Sequence, residues 1–153
     1  MPNEILVAVD GSKPSDKIVE VACVLAKNLS TGILLVYVMN VPAEQPEGLR
    51  EYEKEEDYPD AYVDYLRDIG EEATSKYTDI IQKAGVPVRS VTPSGNPGNE
   101  ILNLADFEQP RMIVVGVRGR HGISRFRTLG SVARNVIENS KIPVLSVPLA
   151  DSK

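Results

Sequence analysis

Two stretches of this sequence carry residue types that suit the binding of a nucleotide polyphosphate. The first runs from Gly116 through Arg118 and Gly119 to Gly130 and Ser131. Glycine admits positive φ and lets the backbone come close to a ligand. Gly130-Ser131 stands at the start of a helical pattern, where free N–H groups and the positive end of the helix dipole attract anions. Ser131 adds a hydroxyl donor. Arg118, Arg120, Arg125 and Arg127 place dense positive charge between these glycines, and guanidinium forks onto phosphate oxygens. The second stretch is Asp10-Gly11-Ser12, where the Asp10 carboxylate can accept from a ribose hydroxyl or an adenine amino group. On spacing alone the same glycines serve equally as turn residues. Asp10-Gly11 then closes a strand, and the arginines are solvated or face a partner.

Other chemistries have less to stand on. His121 is the single histidine and no cluster of Cys or carboxylates accompanies it, so no protein-built metal site is expected. Nothing places a nucleophile beside it, and no catalytic residue is assigned. The G-x-x-x-x-G-K-[ST] loop of P-loop NTPases does not occur. Cys23, the one cysteine, excludes an intrachain disulfide and sits among apolar residues at helical spacing, as a buried inert thiol does. A formal charge of −5 argues against the nucleic-acid backbone as partner. The start, Met1-Pro2-Asn3-Glu4-Ile5, lacks the basic stretch of a signal peptide, and no apolar run reaches membrane-span length. The expectation is a soluble cytoplasmic protein without a membrane partner.

The elements that must position these residues alternate along the chain. Ile5–Val9 is β-branched and lacks polar alternation, which predicts a strand buried on both faces, as in parallel sheets. Ile18, Val21, Ala22, Leu25, Ala26 and Leu29 mark a helix, with Ser12 or Ser15 available as its cap. Residues 33–38 form the second strand. The acidic segment 40–59 reads as an exposed loop that frays into a helix at its end. A long amphipathic helix from Tyr62 ends at Gly85, with its tyrosines as core and rim packing. Residues 86–91 make an edge strand that tolerates Pro87. Asn96-Pro97 caps the next helix. Met112–Val115 is the fourth strand, stopped by Gly116, and residues 142–147 are the fifth. Helix-length crossovers between strands predict one doubly wound α/β domain over 1–153, a parallel sheet with helices on both faces. If the chain winds outward through strands two and three and then back, strands one and four are neighbours. Asp10 and Gly116 then flank the crevice where such sheets bind ligands.

These residues resemble the universal stress protein family. The likeness lies in Ile5–Ser12, in Val36-Tyr37-Val38 and in Gly95-Asn96-Pro97 before Glu100-Ile101. Its most specific part is Ile113-Val114-Val115-Gly116-x-x-Gly119 followed by Gly130-Ser131-Val132-Ala133 and Pro143-Val144-Leu145. It spans nearly the whole chain apart from the acidic insert around 43–60. The resemblance implies a five-stranded parallel sheet in the order 3-2-1-4-5 and a homodimer, often paired through the last strand. Its ATP-binding branch carries G-x2-G-x9-G-[ST], which implies that Gly116, Gly119, Gly130 and Ser131 hold the phosphates. Asp10 and Val38 would hold the adenosine end, with Ala8, Val9, Val115 and Val132 lining the pocket. One departure stands out: ten residues, not nine, separate Gly119 from Gly130, a loop extension of small entropic cost.

The leading expectation is therefore an ATP-binding stress or regulatory protein, with Mg²⁺ held mostly by phosphate oxygens and water. A dimeric scaffold of the same fold that binds no nucleotide is the alternative. An enzyme is the weakest reading, with slow ATP hydrolysis at most, because no catalytic base is evident.

Overall fold

The computed structural model describes residues 3–10, 15–39, 60–118 and 130–149. Five strands and four helices alternate along them: β1 (Ile5–Val9), α1 (Ser15–Asn28), β2 (Ile33–Tyr37), α2 (Asp60–Lys83), β3 (Val88–Val91), α3 (Pro97–Glu108), β4 (Met112–Arg118), α4 (Ser131–Asn139) and β5 (Val144–Leu149). The strands form one parallel sheet in the order β3-β2-β1-β4-β5, so β1 is central and the winding reverses between β1 and β4. The order is the expected one.

Strand alternation divides the core into two layers. Ile5, Val7, Val9, Ile33 and Leu35 face α1 and α2, packing on Val19, Ala22, Tyr77 and Ile81. Leu6, Leu34, Val36, Ile113 and Val115 face α3 and α4, packing on Ile101, Ala105, Ala133 and Val136. A strand that must satisfy both layers has no position for a polar side chain, which is why β1 and β2 read as unbroken apolar runs.

Local chemistry sets the helix ends. Asn96 caps α3 with its side chain accepting from the Asn99 N–H at 3.1 Å, and Pro97 occupies the first turn. Beyond α2, Gly85 adopts φ +81°, and Val86 N–H returns to the Ile81 carbonyl at 3.2 Å, a glycine-dependent helix stop. Gly98 lets α3 approach α4, where Asn135 Nδ2 donates to Asn99 Oδ1 at 2.9 Å.

Several boundaries differ from expectation. β4 continues to Arg118, so Gly116 lies within the strand instead of stopping it. β5 starts two residues later than expected and ends at Leu149. β3 begins at Val88, leaving Pro87 just outside, where its carbonyl still accepts from Ile33 N–H. In each case ladder pairing with the neighbouring strand set the limit, and apolar content did not. The expected loop at 40–59 lies outside the described residues.

At the end of the sheet opposite the strand termini, Arg89 on β3 ties two elements together. It donates to Glu4 from Nε and Nη2 at 2.9 and 2.6 Å, and to Glu108 at the end of α3 from Nη2 at 2.7 Å. The bond from Arg89 holds the Glu108 carboxyl below the usual carboxylate range. Arg89→Met should lower stability by about 1–2 kcal/mol at pH 7, toward the low end for charged hydrogen bonds. The guanidinium is 42% exposed, so solvent screens it. A group with a depressed folded pKa stabilises above its unfolded pKa and ceases to do so as pH falls through the folded value. Urea melts of variant and wild type should therefore converge as the pH drops below that of an ordinary carboxylate. A constant gap down to acid pH would count against this assignment.

Candidate functional site

Pairing between β1 and β4 ends at Val7↔Val114, while β1 stays paired to β2 through Val9 and β4 to β5 through Arg118. The two strands therefore part just before their carboxyl ends. The gap opens into a cavity of about 500 Å³, within the range of small-molecule sites. α3 and α4 close it on one side with their N-terminal turns, through Pro97, Ile101, Ser131 and Val132.

Of the residues expected at a nucleotide site, Ala8, Val9, Asp10, Val38, Val115, Gly116, Gly130, Ser131 and Val132 all line this one cavity. Arg118 is the last residue of β4; its side chain, Gly119, Arg120, His121, Arg125 and Arg127 lie outside the described residues. The lining also includes Ser15, Tyr37, Pro97 and Ile101, which sequence reasoning did not place there.

Asp10 sits at the rim and is held by α1. Ser15 Oγ donates to Asp10 Oδ1 at 2.8 Å, and the Asp10 N–H reaches Ser15 Oγ at 3.4 Å. The Ser15 hydroxyl is thus committed to Asp10 instead of capping α1, the role its position suggested. Burial pushes the Tyr77 phenol up, with the nearby Lys76 charge opposing.

The two glycines at the opposite wall have different reasons for being glycine. Gly116 has no positive φ, contrary to the turn reading. A Cβ there would lie 2.7 Å from both Ile18 Cδ1 and Leu149 Cδ1, so its small size serves packing of α1 and β5 on β4. Gly130 caps α4 at φ −61°, ψ 160°, a conformation open to any residue. Among the described residues, nothing lies within 4 Å of a Cβ built on it. Neither backbone geometry nor packing within the described residues asks for glycine at this position. Among the described residues, no side chain caps the α4 N-terminus. Its first N–H groups have no acceptor within the helix, and Ser131 and Val132 face the cavity.

An anion at the α4 end and hydrogen-bond donors at the Asp10 end would thus meet complementary groups across an apolar floor of Ala8, Val9 and Val115. Among the described residues, no group of three His, Cys, Asp or Glu is placed to hold a metal ion. No helix among them is long and apolar enough to cross a membrane. Cys23 is buried, and burial raises its pKa, in keeping with an inert thiol.

Comparison with known proteins agrees with this architecture. The family model described as the universal stress protein family matches residues 1–148. Universal stress protein MJ0531 of Methanocaldococcus jannaschii is 32% identical over 150 residues, covering 94% of this chain and 81% of that protein. The solved structure of MJ0577, also a universal stress protein from M. jannaschii, superposes with a TM-score of 0.74 at 24% identity, covering 99% of each chain. A universal stress protein from Archaeoglobus fulgidus, solved in complex with dAMP, gives a TM-score of 0.66 at 22% identity over 94% of this chain and 96% of that one.

Proposed function

The chain belongs to the universal stress protein family, and we propose that within it the protein is an ATP-binding regulatory member acting in the cytoplasm as one domain over 1–153. The observation that carries this reading is the pairing of an uncapped helix N-terminus behind Gly130 with the Asp10 carboxylate across one cavity. The dAMP complex of the A. fulgidus relative supports an adenine nucleotide as the ligand class.

In this reading Asp10 and the Val38 backbone hold the adenosine end. Ala8, Val9, Val115 and Val132 line the pocket, while Gly116, Arg118, Gly119, Gly130 and Ser131 hold the phosphates. Mg²⁺, if carried, rides on phosphate oxygens and water. The protein is a binding protein with slow ATP hydrolysis at most. Protein purified without added nucleotide, then denatured and extracted, should release an adenine nucleotide identifiable by mass. Release of a guanine nucleotide, or of another class of ligand in stoichiometric amount, would contradict the proposal.

We further propose a homodimer paired through β5. That strand lies at the sheet edge, and Leu145 on it is exposed, a combination that open sheets normally cover. Pro148, lacking an N–H, limits which part of the strand can pair. Light scattering at micromolar concentration should give twice the chain mass, and a monomer would count decisively against the β5 interface.

A further inference from the structure

Two helix N-termini face the cavity, and they are not equivalent toward an anion. The first helical residue of α3 is Pro97, which has no N–H, and the Asn99 N–H is taken by the Asn96 side chain at 3.1 Å. Glu100 adds negative charge in the same turn. The first turn of α4 carries neither a proline nor an acidic residue. Phosphate recognition therefore depends on where α4 stands, and two residues outside the cavity lining set that. Gly98 on α3 is buried, and a Cβ built on it would lie 2.6 Å from Asn135 Nδ2 and 3.1 Å from Asn135 Cβ. A new rotamer can carry the amide away, but Cβ is fixed to the α4 backbone, so the second contact yields only if α4 moves. Around this contact runs a chain of amides. Asn99, held by Asn96, accepts from Asn135 Nδ2 at 2.9 Å, and Asn135 Oδ1 accepts from Asn139 Nδ2 at 2.8 Å. Ala133 and Val136 bury α4 against the core, but apolar contact is non-directional and leaves sliding and rotation open. Hydrogen bonds have a required geometry and restrict both.

We propose that Gly98 and Asn135 are positioning residues that set the spacing and register of α4 against α3, and so the place where the α4 N-terminus meets the nucleotide phosphates. This rests on the nucleotide reading of the cavity. Gly98 supplies the close approach, and Asn135 locks the helix at the point of approach. The device acts on one end of the ligand. Asp10 and Val38, at the adenosine end, follow β1 and β2, whose pairing is a strand ladder of its own. A displaced α4 thus loses phosphate contacts while the adenosine contacts stay in place. Donors fixed before the ligand arrives also spare binding an ordering cost.

The test is calorimetric titration of ATP and adenosine into a small set of variants. Gly98→Ala, which both displaces α4 and breaks the amide chain, should weaken ATP about tenfold and adenosine less than about twofold. Asn135→Ala adds no bulk and removes only the amide, so it should weaken ATP about threefold and leave adenosine unchanged. In an Asn135→Gly background the opposing Cβ is gone, and Gly98→Ala should then cost less than about twofold in ATP affinity. Ile81→Val, in the other core layer, is the control for a merely structural effect: it should lower the melting temperature and keep the ATP–adenosine ratio of wild type. Equal losses for the two ligands in Gly98→Ala and Asn135→Ala, or unchanged ATP affinity in both, would overturn the positioning role and leave nucleotide binding standing. A wild-type protein that binds no adenine nucleotide would overturn the functional reading and this inference with it.

Discussion

Asp10→Ala should weaken ATP binding by about one to two decades and leave the fold intact. Charged hydrogen bonds lost from a recognition site cost roughly 1.5–3 kcal/mol, and each 1.4 kcal/mol is about tenfold in affinity. Asp10 is exposed and lies beyond the last residue of β1, so its truncation removes little packing. The loss should be at least as large for adenosine as for ATP. Removing a carboxylate also relieves some repulsion of the phosphates, and adenosine gains nothing from that. Asp10→Asn preserves the oxygen that accepts from Ser15 and should fall between wild type and Asp10→Ala. Calorimetry on the folded variants decides the matter: unchanged affinity in Asp10→Ala would remove this residue from the site.

Gly130→Val should separate phosphate recognition from folding. The backbone at Gly130 accepts valine without strain, and a Cβ there meets nothing within 4 Å among the described residues. The melting temperature should hold or rise slightly, since replacing glycine restricts the unfolded chain. If phosphate sits against the α4 N-terminus, the new side chain occupies its space. ATP affinity should then fall by about tenfold or more, while adenosine changes less than about twofold. The ATP–adenosine gap in wild type should also narrow as salt rises. Gly116→Val is the contrasting variant. Its side chain meets Ile18 and Leu149 at 2.7 Å, so stability should drop by about 1–3 kcal/mol through overpacking. Equal losses for ATP and adenosine in Gly130→Val would place the phosphates elsewhere.

The parallel sheet was legible because it depends on features that a sequence carries openly, while its strand order is what the family resemblance implied. Unbroken apolar runs such as Ile5–Val9 need two covered faces, and helix-length spacers leave parallel pairing as the outcome. Asn96-Pro97 and Gly85 mark helix ends by local chemistry alone, and both fall where expected. Gly116 was harder. A glycine after four β-branched or apolar residues looks like a strand end, and only the positions of Ile18 and Leu149 reveal that it is a packing residue inside β4. The bond from Ser15 to Asp10 was hidden for a related reason. Ser15 resembles a helix cap, yet its hydroxyl donates to Asp10 Oδ1 at 2.8 Å. That meeting is a product of α1 packing on the sheet beside the end of β1, which no local pattern encodes.

The central claim is that an adenine nucleotide occupies the cavity between β1 and β4, with its phosphates at the α4 N-terminus. Titration of ATP into isotope-labelled protein, followed by backbone amide chemical shifts, tests binding and location together. Saturable changes should centre on Asp10, Val38, Gly130, Ser131 and Val132, with adenosine reproducing those at Asp10 and Val38 but not those at Gly130–Val132. No saturable change at millimolar ATP, or changes centred away from these residues, would contradict the account.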